Sequence, residues 1–196
     1  MTDHFEMSSD ESTSSELRFD SLPDRECAVE AIVVATRKFA QSSGVVVCVP
    51  GKGDSIPDLT RCERFRYADQ YGPFADALRQ GEEVTIATVL KAGEVVAFGF
   101  AEVPSEDGVE IMTIDVAIES RRSSGEKATI EINGESFEIG IGHVLVLALI
   151  ESLGADAVTT NATTSSARYL FTSLGLISTD EENSCLLRRE KTCDSP

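Results

Sequence analysis

Gly140-Ile141-Gly142-His143-Val144-Leu145-Val146-Leu147-Ala148-Leu149-Ile150 is the stretch on which the fold of this chain turns. A glycine pair opens an apolar run that stops at Gly154. A short strand follows, Ala157-Val158-Thr159-Thr160-Asn161, and then a second helix, Ser165 to Leu174, closed by Gly175. Glycines at a helix start let backbone N–H groups approach an anion, and the helix dipole favours negative charge there. Taken alone the pair is a weak signal, because tight turns between elements use glycine too.

Its surroundings sharpen it. Upstream, Val109 to Ile118 is a β-branched run that reads as a central strand, and it ends in Glu119-Ser120-Arg121-Arg122. Strand, basic residues, glycine-opened helix, strand and glycine-closed helix, in that order, resemble the GNAT superfamily of N-acetyltransferases. The resembling core is Val109–Ile177, with a weaker match back to about Leu17. The resemblance implies an α/β fold, a mixed and mostly antiparallel twisted sheet with helices on both faces. It implies acetyl-CoA as co-substrate and a primary amine, of a small molecule or a peptide, as acceptor. It also implies a cofactor site in which the main chain of Val116, Ala117 and Ile118 pairs with the pantetheine arm. Arg121, Arg122, Gly140, Ile141, Gly142 and His143 would hold the pyrophosphate, with Asn161 and Phe171 completing the site.

Two departures from the family pattern bear on function. The motif arginine and its first glycine normally lie close together, yet a long insert separates Arg121 from Gly140. That insert, 124–139, contains Asn133-Gly134 between two alternating runs, a strong hairpin signal. It reads either as a surface ribbon or as a cover for substrate or a dimer contact. The second departure is at the helix tyrosine that many members use to protonate the leaving thiolate, which here is Phe171. Ala167, Leu170, Phe171 and Leu174 share one helical face, so Phe171 reads as core or as a wall against the cofactor. Tyr169 lies two residues earlier, roughly 200° round the helix, and cannot simply replace it. A catalytically silent CoA- or partner-binding relative is therefore the alternative to an enzyme.

A protonated amine must lose a proton before it attacks, which a carboxylate can assist. Asp115, within the strand, and Glu110, at its start, are the candidates. Their separation of five places them on opposite faces of a regular strand, so at most one points at the substrate. His143, in the first turn of its helix, is expected to stay neutral and pack, since positive charge is unfavourable there.

Composition limits the rest. The 196 residues include 34 acidic and 17 basic ones, giving a formal net charge of −17 and a pI near 4.4. Such a surface can steer cationic substrates, but scarce lysine beside abundant acid favours a protein adapted to high salt. With no basic stripe, the expectation is no nucleic-acid partner. No apolar run approaches the ~20 residues of a membrane span, so neither a membrane role nor an exported form is expected, and the chain reads as cytoplasmic, a monomer or homodimer. Five cysteines without a Cys-x-x-Cys pair, and only His4 and His143, argue for reduced, buried thiols and no metal site.

Along the chain, Met1 to Ser15 reads as a disordered acidic tail, and 16–192 as a single domain with the hairpin insert. Leu17-Arg18-Phe19 suits a first strand. A helix is expected from Pro23 to about Gln41, with Ala28, Ile32, Ala35 and Phe39 on its apolar face. Val45 to Val49 suits a strand, Arg61 to Tyr71 a helix, and Pro73 to Arg79 another. Val84–Val89 and Glu94–Ala101 are strands joined by a hairpin turn, and Leu176 to Glu190 forms a last hairpin.

Overall fold

In the computed structural model the expected first helix is α1, Leu22–Ser43. The structure describes residues 22–105, 108–117, 120, 127–154, 157–178 and 186–190. The acidic tail, the strand expected at Leu17 and the cofactor candidates Ile118, Arg121 and Arg122 lie outside these residues. In α1 the buried stripe is Ala28, Ile32, Thr36 and Phe39. Thr36 rather than Ala35 takes the central position, and its hydroxyl donates to the Ile32 carbonyl (2.8 Å) one turn back. That bond satisfies a polar group that would otherwise be costly to bury.

Gly44, at φ 66°, turns the chain into β1, Val45–Cys48. A series of tight turns follows, with Cys62 N–H bonded to the Leu59 carbonyl and Phe65 N–H to the Cys62 carbonyl. The two helices expected between Arg61 and Arg79 are instead one, α2, Ala68–Gln80, with Pro73 inside it. Proline normally ejects the preceding residue from the helix by clashing with its Cβ. Here that residue is Gly72, which has none, so the helix continues through.

The remaining elements are β2 (Val84–Lys91), β3 (Glu94–Ser105), β4 (Gly108–Val116), β5 (Lys127–Ile132), β6 (Glu135–Gly140), α3 (Ile141–Leu153), β7 (Ala157–Asn161), α4 (Ser165–Ser173), β8 (Ile177–Ser178) and β9 (Leu186–Glu190). Seven strands form one sheet in the order β1-β2-β3-β4-β7-β9-β8. Its only parallel pair among the described residues is β4 with β7, joined through α3. The two hairpin turns have positive φ at both central residues, Ala92 (51°) with Gly93 (85°) and Asn133 (53°) with Gly134 (84°). This backbone matches the twist of the strands it joins.

Two cores flank the sheet. On one face, α1, α3 and α4 pack over Ala87, Val89, Ala97, Ala101 and Ile111. Gly99 lets α3 approach: a Cβ there would lie 2.9 Å from Leu149 Cδ1 and 3.0 Å from the Thr113 carbonyl. On the other face, α2 and the preceding turns cover Ile86, Phe98 and Phe100. The rings of Tyr71 and Phe65 stand edge-on to Phe98 at 5.1 and 5.0 Å.

The β5–β6 hairpin is a separate two-stranded sheet, and it is not a surface ribbon. Phe137 and Ile139 are fully buried in the α1–α3 core. Burying side chains of this size contributes roughly 2–3 kcal/mol each. The insert is thus part of the fold, and its second strand runs straight into the first turn of α3. Cysteine burial runs against expectation: Cys27 and Cys48 are exposed and Cys62 is partly so, all with free thiols.

Candidate functional site

The sheet opens beside β4. The ladder between β4 and β7 covers only Val109–Ile111 against Val158–Thr160, while both strands run on beyond it. At the fork the buried Thr160 hydroxyl donates to the Ile111 carbonyl (3.0 Å), closing off the last paired position. Past this point the 113–116 segment stays paired with β3, while the ladder with β7 has ended. Ala117 donates its N–H to the Val96 carbonyl (2.9 Å), so that group points at β3 and not into the fork. Asn161, exposed at the end of β7, pairs in register with Leu186 of β9.

The first turn of α3 stands over this fork. Gly140 is its N-cap in ordinary extended geometry (φ −143°, ψ −172°), so no conformational demand requires glycine there. Gly142 is different. A Cβ on it would lie 3.3 Å from Leu170 Cδ2 and 4.0 Å from Val116 Cγ2. The α3 N-terminus, α4 and β4 therefore meet at a residue without a side chain. The main-chain N–H groups of the first helical turn have no intrahelical acceptor and carry the positive end of the dipole.

His143 clamps this turn. Its Nδ1 accepts the Gly140 N–H (3.3 Å), and its Nε2 lies 3.2 Å from Ser173 Oγ. Ser173 in turn donates to the Leu170 carbonyl (2.8 Å). The chain of bonds closes only if the imidazole is neutral with its proton on Nε2. Burial pushes its pKa down to about 4, which fits. The side chain expected to help hold the pyrophosphate is committed to the protein, and only its main chain is positioned for a ligand.

Asp115 is buried, and its Oδ2 accepts the Tyr67 N–H (2.7 Å) at the N-cap of α2. Glu110 is half-buried on the same strand. The expectation that the two face opposite ways fails, because β4 carries a bulge. Asp115 and Thr113 lie opposite Phe98 and Phe100, but the register then slips, so that Glu110 lies opposite Glu102. Residues 98, 100 and 102 share one face of β3, so Glu110, Thr113 and Asp115 share the α2 face of β4. One extra residue reverses alternation. On this face Thr113 Oγ1 also donates to Gln70 Oε1 of α2 (3.1 Å).

Phe171 is buried in the α1–α3 core beside Leu174 and Leu176. The Tyr169 hydroxyl accepts the Glu138 N–H of the hairpin (3.2 Å), with its ring edge-on to His143. Burial raises its pKa. Tyr169 thus ties α4 to the insert through its hydroxyl oxygen. Among the described residues no cluster of His, Cys, Asp and Glu could hold a metal ion, and no helix is long and apolar enough to cross a membrane.

Charge is distributed unevenly. The two longest stretches of the chain without Asp or Glu are 31–53 and 157–179. The second supplies β7 and α4, one wall of the fork. This depletion was legible in the sequence, but its meaning depends on where the fold places it.

No family model and no curated protein matches this chain. Solved structures do. The AtaTR complex with acetyl-CoA is 15% identical over 75% of this chain and 93% of that one, with a TM-score of 0.50. The AtaT–AtaR complex bound to DNA is 14% identical over 74% and 93%, with a TM-score of 0.51. A GNAT family acetyltransferase from Elizabethkingia anophelis with acetyl-CoA bound is 14% identical over 76% and 99%, with a TM-score of 0.48. The chain shares the fold of the AtaT structures, the mixed and mostly antiparallel α/β fold that the sequence resemblance implied. One expectation is overturned here: the AtaT–AtaR complex bound to DNA shows that a chain of this fold can stand in a nucleic-acid assembly. Net charge constrains only the contacts this chain would make itself; in a two-protein assembly the other chain can neutralise the phosphates.

Proposed function

We propose that this protein is an acyl-CoA-dependent N-acetyltransferase, with acetyl-CoA as donor and a primary amine as acceptor. One observation carries the reading: the β4–β7 fork lies under the glycine-opened first turn of α3. An extended amide chain can lie in the fork where the β4–β7 ladder ends, with its anionic end against the α3 N–H groups. The acid-free wall 157–179 suits a tetra-anionic cofactor within a chain of charge −17. In the reaction the neutral amine nitrogen bonds to the thioester carbonyl carbon, and the C–S bond breaks. Asp115, through a water, takes the ammonium proton before attack; the nitrogen's second proton passes to solvent as the tetrahedral adduct collapses, and the leaving thiolate takes a proton from solvent.

A second reading, a binding module without transferase activity, is favoured by the buried Phe171 where a tyrosine acid would stand. Two measurements separate them. Calorimetry should give saturable acetyl-CoA binding that Gly142→Ala weakens and Gly142→Val abolishes while circular dichroism stays native. Turnover against a panel of amines should fall at least tenfold, or about 1.4 kcal/mol, in Asp115→Asn with affinity for acetyl-CoA unchanged. Binding without turnover supports the module, and no binding at all removes both.

A further inference from the structure

The hairpin insert and α3 are joined without a linker: β6 ends at Gly140 and α3 begins at Ile141. The direction of the first helical turn is therefore set by how β6 is held. Residues two apart in an antiparallel strand turn their N–H groups to the same side. In β6 the N–H groups of Glu138 and Gly140 turn away from β5, and each meets a side chain. The Tyr169 hydroxyl accepts from Glu138 (3.2 Å), and His143 Nδ1 accepts from Gly140 (3.3 Å). The two accepting rings stand edge to face, with centroids 6.3 Å apart.

α4 grips this junction at three points. Tyr169 holds Glu138, Leu170 Cδ2 comes within 3.3 Å of where a Cβ on Gly142 would lie, and Ser173 Oγ lies 3.2 Å from His143 Nε2. Residues 169, 170 and 173 form one face of α4, and they meet 138, 142 and 143, on both sides of the break between strand and helix. Phe137 and Ile139 anchor the inner face of the hairpin in the core. Apolar burial is non-directional, however, whereas a hydrogen bond weakens steeply as it bends. The His143 bond closes within the turn itself. The Tyr169 bond joins β6 to a different element, and so fixes the angle at which the strand enters α3.

We propose that Tyr169 is a positioning residue of the cofactor site: through the Glu138 N–H it sets the first turn of α3, so that the N–H groups of that turn meet the phosphates of acetyl-CoA together. The inference rests on the acetyl-CoA reading above and gives the insert a part in it. Tyr169 touches no reacting atom in this role. It acts on affinity for the phosphates and not on the transfer step.

The test uses the full chain and two ligands, acetyl-CoA and pantetheine, which shares the amide arm and lacks the phosphates. In Tyr169→Phe, calorimetry should show acetyl-CoA bound about fivefold more weakly, the scale of one neutral hydrogen bond, with native circular dichroism. Pantetheine, followed by NMR titration, should bind as it does to the wild type. In turnover the loss should fall on KM for acetyl-CoA and not on kcat. Glu138→Pro removes the same bond from the other side, at a position whose N–H β5 does not use. The double variant should bind acetyl-CoA no more weakly than Glu138→Pro alone, because the interaction is then already gone. Unchanged acetyl-CoA affinity in Tyr169→Phe, with Gly142→Val still abolishing binding, would overturn this proposal and leave the cofactor reading standing. Equal losses for the two ligands, or a further loss in the double variant, would also overturn it. So would a fall in kcat with affinity unchanged, which would make Tyr169 an acid. A wild type that binds no acetyl-CoA would remove the cofactor reading and this proposal together.

Discussion

Acid should unlock the first turn of α3, because that turn is held by a neutral imidazole. His143 is buried with Nδ1 on the Gly140 N–H and Nε2 on Ser173. Protonation would set an N–H against the Gly140 N–H and place a cation at the positive end of a helix. Burial lowers the folded pKa from 6.5 to about 4. The unfolded chain therefore binds this proton at a higher pH than the native one. The stabilisation is fully present above about pH 6.5 and is lost as pH falls toward 4. The gap between the two values corresponds to a little over 3 kcal/mol if wholly expressed, of which about 2 kcal/mol should be lost between pH 7 and pH 5. Many carboxylates titrate nearby, so the informative quantity is a difference. Urea unfolding at pH 7 and pH 5, in molar KCl to screen the surface, would be compared for the wild type and His143→Gln. Glutamine can still accept the Gly140 N–H and does not titrate. The wild type should lose about 2 kcal/mol more than the variant over this interval. Equal losses would refute the neutral clamp and the bond pattern built on it.

Three further outcomes are expected. Gly99→Ala should destabilise the fold by roughly 1–3 kcal/mol in denaturant titration, because the new methyl meets Leu149 and the Thr113 carbonyl at about 3 Å; a neutral effect would mean that α3 sits further from the sheet. The Tyr71 hydroxyl is buried without a partner among the described residues, and burial pushes its pKa up to about 12. Tyr71→Phe should therefore leave stability unchanged or raise it by about 1 kcal/mol, and a clear loss would reveal a partner for the hydroxyl. With 34 acidic residues against 17 basic ones, the melting temperature should climb steeply between 0.1 and 1 M KCl as the Debye length falls from ~10 to ~3 Å. A flat series would count against adaptation to high salt and for an acidic surface that steers cationic substrates.

What the sequence determined by itself is what short-range physics encodes. Asn133-Gly134 specifies its hairpin because both residues tolerate positive φ. The apolar run after Gly140 can only be a buried helix, and the β-branched run from Val109 can only be a central strand. Those elements, in their order, were enough for the fold. The tertiary structure alone decided how faces and partners are assigned. No local pattern marks the extra residue in β4 that turns Glu110 to the side of Asp115, since a bulge is fixed by its pairing with β3. Nothing near Pro73 tells that the helix runs through it; only Gly72 before it, and the buried Tyr71 and Ala75 on either side, hold it together. The hairpin read as a surface ribbon or as a cover for substrate or a dimer contact, until Phe137 and Ile139 were seen buried against α1 and α3. His143 and Ser173 lie 30 residues apart and meet only because α3 and α4 pack side by side. Periodicity reports the neighbours a residue has along the chain, and these choices are made by neighbours across it.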